Sequence, residues 1–217
     1  YGIHNGISIS HDGDLPARSG IGSSSSFTVG LIHAIAAYQR RPMTSLELSE
    51  EAIHIEQSVI GESVGVQDQI MAAYGGINVI ELSDKGKTVT PLDISIKYTT
   101  ELEKHIMLGF SGIDRLSDVH AKQQVENINS GKSTKHLDMM SRISEMALDF
   151  LQRELPMSDV GALLDVQWTY KRQLTDNVTN DYIDIIYNKA KEAGAYGGKL
   201  MGAGGGGFFM FLASPDK

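Results

Sequence analysis

Apolar residues recur on nearly every turn from Phe27 to Tyr38, which predicts a buried helix. The segment before it, Asp14-Leu-Pro-Ala-Arg-Ser-Gly20-Ile-Gly22-Ser-Ser-Ser-Ser26, consists of turn formers and small residues, so it reads as a glycine-rich loop opening that helix. A second helix begins at a capping box, Thr44 and Glu47, with Met43 and Leu48 spaced as a hydrophobic staple. Leu48, Ala52, Ile55 and Val59 form its expected apolar face, and Gly61 its expected end. A short helical turn over Ile70–Tyr74 follows. Strands of a meander are expected at Ile77–Leu82 and Ile94–Tyr98, with a turn at Asp84–Gly86.

The pattern changes around Glu101–Lys104. A strand at His105–Phe110 precedes long helical stretches reaching Ala193. Two strand-like runs, Lys199–Met201 and Phe208–Leu212, then flank a glycine cluster from Gly202 to Gly207. Strand, helices and paired strands suggest a second α+β unit. The expected division is 1–100 and 101–217, in an overall α+β fold.

Composition narrows the class. Of 217 residues 41% are hydrophobic, enough to build a core. No apolar run is long enough to span a membrane. With 19 basic against 27 acidic residues, the net charge of −8 argues against non-specific binding to nucleic acid or anionic lipid. The absence of Cys excludes disulfides, thiolate metal sites and a cysteine nucleophile. The seven histidines show no ligand spacing, and His33 and His54 are expected as partly buried helix residues. Trp168 and the run Phe208–Phe211 read as core. The chain opens on Tyr1-Gly2-Ile3 and ends just after an apolar strand, which reads as a piece of a longer polypeptide.

Candidate chemistry sits in the two glycine-rich loops. Gly20 and Gly22 permit backbone conformations closed to other residues, and free N–H groups at a helix N-terminus attract anions. Serine hydroxyls there can bind phosphate oxygens or complete a Mg²⁺ shell. The alternative is a serine-rich connector, but connectors rarely run unbroken into an apolar helix. Gly131-Lys132-Ser133 imitates the tail of a P-loop, yet Glu126 stands where its first glycine belongs, so a helix-to-helix turn is expected. The Gly202–Gly207 cluster is either a plain hairpin or a backbone that packs against a ligand or the first loop. Glu56 lies on the capped helix and Asp68 twelve residues later, beyond a turn that can bring it back. A kinase needs one carboxylate for Mg²⁺ and another for the acceptor hydroxyl, although from spacing alone a solvated surface acid is the commoner outcome for each.

Together these segments resemble the GHMP kinases. The family's phosphate-loop motif, P-x-x-x-G-[LI]-G-S-S-[AS], is matched by Pro16-Ala-Arg-Ser-Gly20-Ile21-Gly22-Ser23-Ser24-Ser25, and its third motif by Lys199-Leu-Met-Gly202-Ala-Gly204-Gly205-Gly-Gly207. Gly65-Val-Gln-Asp68-Gln69 is similar to the segment carrying the catalytic aspartate, and Glu56 sits where the metal-binding glutamate falls. The loop and helix Ser23–Leu31, the triplet Gln67-Asp68-Gln69, Ala72–Gly76 and Phe110–Arg115 are most similar to the sugar kinases acting on D-glycero-D-manno-heptose 7-phosphate. The family's first motif, which contributes to the sugar site, is absent from this chain.

The resemblance implies a ribosomal-S5-like first part, a ferredoxin-like second part and a nucleotide in the cleft between them. It implies Mg²⁺-ATP on Gly20–Ser25, with Ser24 (or its neighbour Ser23) and Glu56 holding the metal. Asp68 would deprotonate the anomeric hydroxyl of a sugar phosphate. Gly202, Gly204 and Gly205 would shape the nucleotide and acceptor site. The alternatives are another sugar 1-kinase of the family or a non-catalytic regulator on the same fold. A small-molecule partner, a cytoplasmic setting and compatibility with a homodimer complete the expectation.

Overall fold

The computed structural model describes residues 1–4, 6–15, 20–113 and 125–216. The first described helix, α1 (Ser23–Tyr38), starts at Gly22 and buries Ser25, Val29, Ile32 and Ala36. The helix is buried on one face only: Phe27 and Tyr38 lie on its exposed side, and His33 is exposed too. α2 (Ser45–His54) begins at the expected capping box, in which Thr44 accepts from Glu47 N and Glu47 from Thr44 N. It runs into a π-helical turn, Ile55–Ile60, that ends at Gly61 with φ +80°.

That turn corrects the predicted face. The stripe Leu48–Ala52 continues to Glu56, which is buried, whereas Val59 is 68% exposed. A π turn carries an extra residue and retards the helical phase, so the residues after Glu56 swing outward. His54, expected partly buried, is exposed as well. α3 (Gln67–Tyr74) starts earlier than expected and includes Asp68 in its first turn. α1, α2 and α3 enclose a small core of Val29, Ile32, Leu48 and Ala52.

β1 (Asn78–Ser83) pairs antiparallel with β2 (Gly86–Pro91). Ile94–Tyr98, expected as a strand, instead enters α4 (Ile96–His105), because the Ser95 hydroxyl caps Tyr98 N. Residue 100 therefore falls within a helix. Its Tyr98 OH donates to Leu155 O at 2.6 Å.

β3 (Ile106–Phe110) is one edge of a three-stranded antiparallel sheet with β4 (Gly197–Leu200) at the other and β5 (Phe208–Leu212) between them. Among the described residues between β3 and β4 lie a short helical segment at 125–129 and the longer helices α5 (Thr134–Gln152), α6 (Met157–Lys171) and α7 (Asp181–Glu192). Gly131–Thr134 is the expected turn into α5. The second core gathers Trp168, Leu174, Val178, Ile183, Tyr187, Leu200, Phe209 and Phe211. The chain belongs to the α+β class, and no helix among the described residues is long and apolar enough to cross a membrane.

Glycine sets the distance between α6 and β4. A methyl on Gly197 would stand 1.9 Å from Gly161 O, and one on Gly161 would stand 2.5 Å from Tyr196 Cβ. Gly197→Ala should therefore lower stability by about 3 kcal/mol, as overpacked cores do. Gly30, in mid-α1 with nothing within 4 Å of a Cβ, is the control. Gly30→Ala should stabilise by up to about 1 kcal/mol. Urea unfolding followed by circular dichroism reads both, and a neutral Gly197→Ala would contradict the contact.

Candidate active site

Of the predicted phosphate loop, the structure describes residues 20–26. Gly20 and Gly22 take φ +81° and +75°, and Gly22 is the N-cap of α1 without any side-chain cap. No acidic residue occupies the first turn of α1. The N–H groups of Ser23, Ser24 and Ser25 thus open a helix end whose dipole favours an anion. Ile21 and Ser23 are half-buried in this arrangement. Pro16 lies outside the described residues, as do Asp114 and Arg115.

The structure brings Asp68 to this loop. A methyl on Gly22 would meet Asp68 Cγ at 3.3 Å, so the glycine's missing side chain is the space the carboxyl group occupies. Its positive φ and this contact both favour glycine.

Beneath the loop lies Glu56, only 1% exposed. Ser25 Oγ donates to Glu56 Oε2 at 2.9 Å, and Gln69 Nε2 donates to the same oxygen. Glu56 Oε1 has no hydrogen-bond partner among the described residues. The hydroxyl on the glutamate therefore belongs to Ser25, while Ser24 is exposed and its carbonyl accepts from Thr28 Oγ1 at 3.2 Å. Helical periodicity explains this, because Ser25 shares the inward stripe with Val29 and Ile32 and Ser24 does not. Gln69, fully buried, is the residue that motif reasoning passed over. Its only signal was its place beside Asp68 in Gln67-Asp68-Gln69.

A buried carboxylate with one open oxygen, next to a hydroxyl and an uncapped helix N-terminus, suits a hard divalent cation such as Mg²⁺. The donor set is all oxygen, as that ion requires.

The second glycine loop is pinned to its own unit. Gly205 N donates to Val178 O and Gly207 N to Ile113 O, each at 3.0 Å. Methyl groups on Gly204 and Gly206 would stand 2.8 Å from Val178 O and Ile113 O respectively. Lys171, buried at the end of α6, donates to Leu200 O at 2.7 Å and to Gly202 O at 2.6 Å. The glycines thus serve close backbone packing, and a buried ammonium fixes the loop's start. Burial lowers the pKa of Lys199, whose Nζ donates to Gln167 Oε1 at 2.9 Å. A cavity of about 400 Å³ beside His105 and Tyr196 lies at the opposite end of this sheet and plays no part here.

Lys171→Met should strip two charge-assisted hydrogen bonds from the loop. Stability should fall by about 2–4 kcal/mol, and amide exchange at 203–207 should rise at least tenfold. Unchanged protection there would show that Lys171 does not hold the loop.

Comparisons with known proteins place the chain in a family. The model of the GHMP kinases N terminal domain matches residues 1–76, and that of the GHMP kinases C terminal matches 151–217. The chain is 35% identical over 210 residues to a D-glycero-alpha-D-manno-heptose 7-phosphate kinase of Campylobacter jejuni, spanning 94% of this chain and 60% of that protein. It is 25% identical over 224 residues to a galactokinase of Pyrococcus furiosus, spanning 94% of this chain and 64% of that one. The crystal structure of a D-glycero-D-manno-heptose 1-phosphate kinase from Bacteroides thetaiotaomicron is similar with a TM-score of 0.68 and 26% identity, spanning 94% of this chain and 56% of the other. The chain thus spans about 60% of the length of these relatives.

Proposed function

Because this chain belongs to the GHMP kinase family, we propose that the protein of which it forms part transfers the γ-phosphate of ATP to the anomeric hydroxyl of D-glycero-D-manno-heptose 7-phosphate. The observation that carries the kinase reading is the packing of the Asp68 carboxyl against Gly22, at the mouth of an open helix N-terminus. The acceptor rests on the 35% identity to the Campylobacter jejuni enzyme.

In this reading the backbone N–H groups from Ser23 to Ser25 bind the β- and γ-phosphate oxygens and orient the phosphorus for in-line attack. Asp68 accepts the proton of the sugar hydroxyl as its oxygen bonds to the γ-phosphorus. The bond from that phosphorus to the bridging oxygen breaks, ADP leaves, and a 1,7-bisphosphate is formed. Glu56, with Ser25 on its other oxygen and Ser24 or Ser23 beside the phosphates, would hold Mg²⁺. When bound, Mg²⁺ supplies charge neutralisation on the phosphates. The Gly202–Gly207 loop, kept in shape by Lys171, Val178 and Ile113, would close on the phosphate loop and bound the acceptor site. The need for ATP favours a cytoplasmic setting.

The phosphorus NMR spectrum of the full-length protein with Mg²⁺-ATP and the heptose phosphate provides the test. A new anomeric phosphate signal is expected, and Asp68→Asn should slow its appearance by roughly 10²- to 10⁴-fold while leaving ATP affinity unchanged. A full-speed Asp68→Asn would overturn the base assignment. Silence with intact ATP binding would move the acceptor to another sugar, the reading that the galactokinase similarity favours.

A further inference from the structure

Two side chains in this site are buried outright and each keeps one oxygen without a hydrogen-bond partner among the described residues: Glu56 Oε1 and Gln69 Oε1. The two are already in contact, since Gln69 Nε2 donates to Glu56 Oε2. Both donors, the Gln69 amide and the Ser25 hydroxyl, fall on that one carboxylate oxygen. Two acceptors in the interior are therefore left facing no donor, where native structures rarely leave any.

Charge narrows the missing group. Among the described residues no Lys, Arg or His pairs with Glu56, and both of its donors are neutral. A buried carboxylate without a counter-charge is strongly disfavoured. A water molecule would satisfy the acceptors and leave the charge unbalanced. A divalent cation does both.

We propose that Gln69 is part of the cation site. Its amide N–H holds the Glu56 carboxylate so that Oε2 is occupied and Oε1 is the open edge. Its own Oε1 is a further oxygen facing the same ion. Gln69 is thereby a positioning residue for Glu56 and a neutral oxygen donor in its own right. Asp68, its neighbour on α3, is left exposed towards the loop. The inference rests on the reading of Glu56 as the cation's carboxylate.

Mn²⁺ titration of the full-length protein with a non-hydrolysable ATP analogue, followed by electron paramagnetic resonance, tests it. Gln69→Met, which keeps the volume and removes both polar atoms, should weaken Mn²⁺ binding by 10- to 100-fold, as loss of a ligand-orienting partner does. It should also alter the bound-Mn²⁺ spectrum, with metal-free binding of the analogue unchanged. Glu56→Gln is the reference. If Glu56→Gln loses Mn²⁺ and Gln69→Met stays within twofold of the parent with an unaltered spectrum, the role of Gln69 is overturned and that of Glu56 survives. If both stay within twofold, the cation reading falls, and the proposal with it. Should Gln69→Met fail to fold, Gln69→Asn, which draws the amide back by one methylene, is judged by the same thresholds.

Discussion

The first half of the chain is organised around one buried carboxylate. Glu56 is removed from water and tied by Ser25 of α1 and Gln69 of α3. A charge in that position is tolerated only when hydrogen-bonded, so the two helices must each bring a donor to it. That requirement sets the N-terminus of α1 against the N-terminus of α3. The contact of Gly22 with Asp68 is then a consequence, because the residues that touch are neighbours of those that bond: Gly22 precedes the serines and Asp68 precedes Gln69. The π-helical turn at Ile55–Ile60 allows α2 to deliver Glu56 inward and stop there.

The second half solves a different problem by related means. Its glycine loop keeps a fixed shape because main-chain groups approach more closely than any Cβ would permit. Val178 and Ile113 take its N–H groups, and Lys171 takes two carbonyls bordering its start. The clustered glycines could have read as slack. They are instead what lets the backbone pack against backbone, which in turn gives a site a rigid wall on a loop.

Much of this was legible in the residues. The glycine loop running into an apolar helix, the capping box at Thr44 and the strand pair around the second glycine cluster all follow from local chemistry, and local chemistry is what a sequence displays. Four features were not. Val59 was expected inside, but a π turn is a change of helical phase and no residue announces it. Ile94–Tyr98 has a strand's apolar spacing, yet one serine hydroxyl on Tyr98 N was enough to start a helix there. The choice of Ser25 over Ser24 as the partner of Glu56 depends on where the first helical turn begins, and a one-residue difference there rotates the face by about 100°. Gln69 was hidden for a related reason, since its partner lies on another helix.

The two carboxylates also show why spacing alone left their roles open. Glu56 and Asp68 are both acids near helix ends, twelve residues apart. Environment separates them, as it does wherever two like groups carry different tasks. Glu56 is sealed in, with one oxygen that finds no hydrogen-bond partner among the described residues. Asp68 is exposed, in the first turn of α3 and against a glycine. The two helix N-termini divide in the same way: α3 already carries an acid in its first turn and α1 carries none. Of the two ends, that of α1 is the one with no acid of its own helix in the first turn to offset the dipole. The exposed acid and the open amides are thus side by side, on the first turns of two different helices.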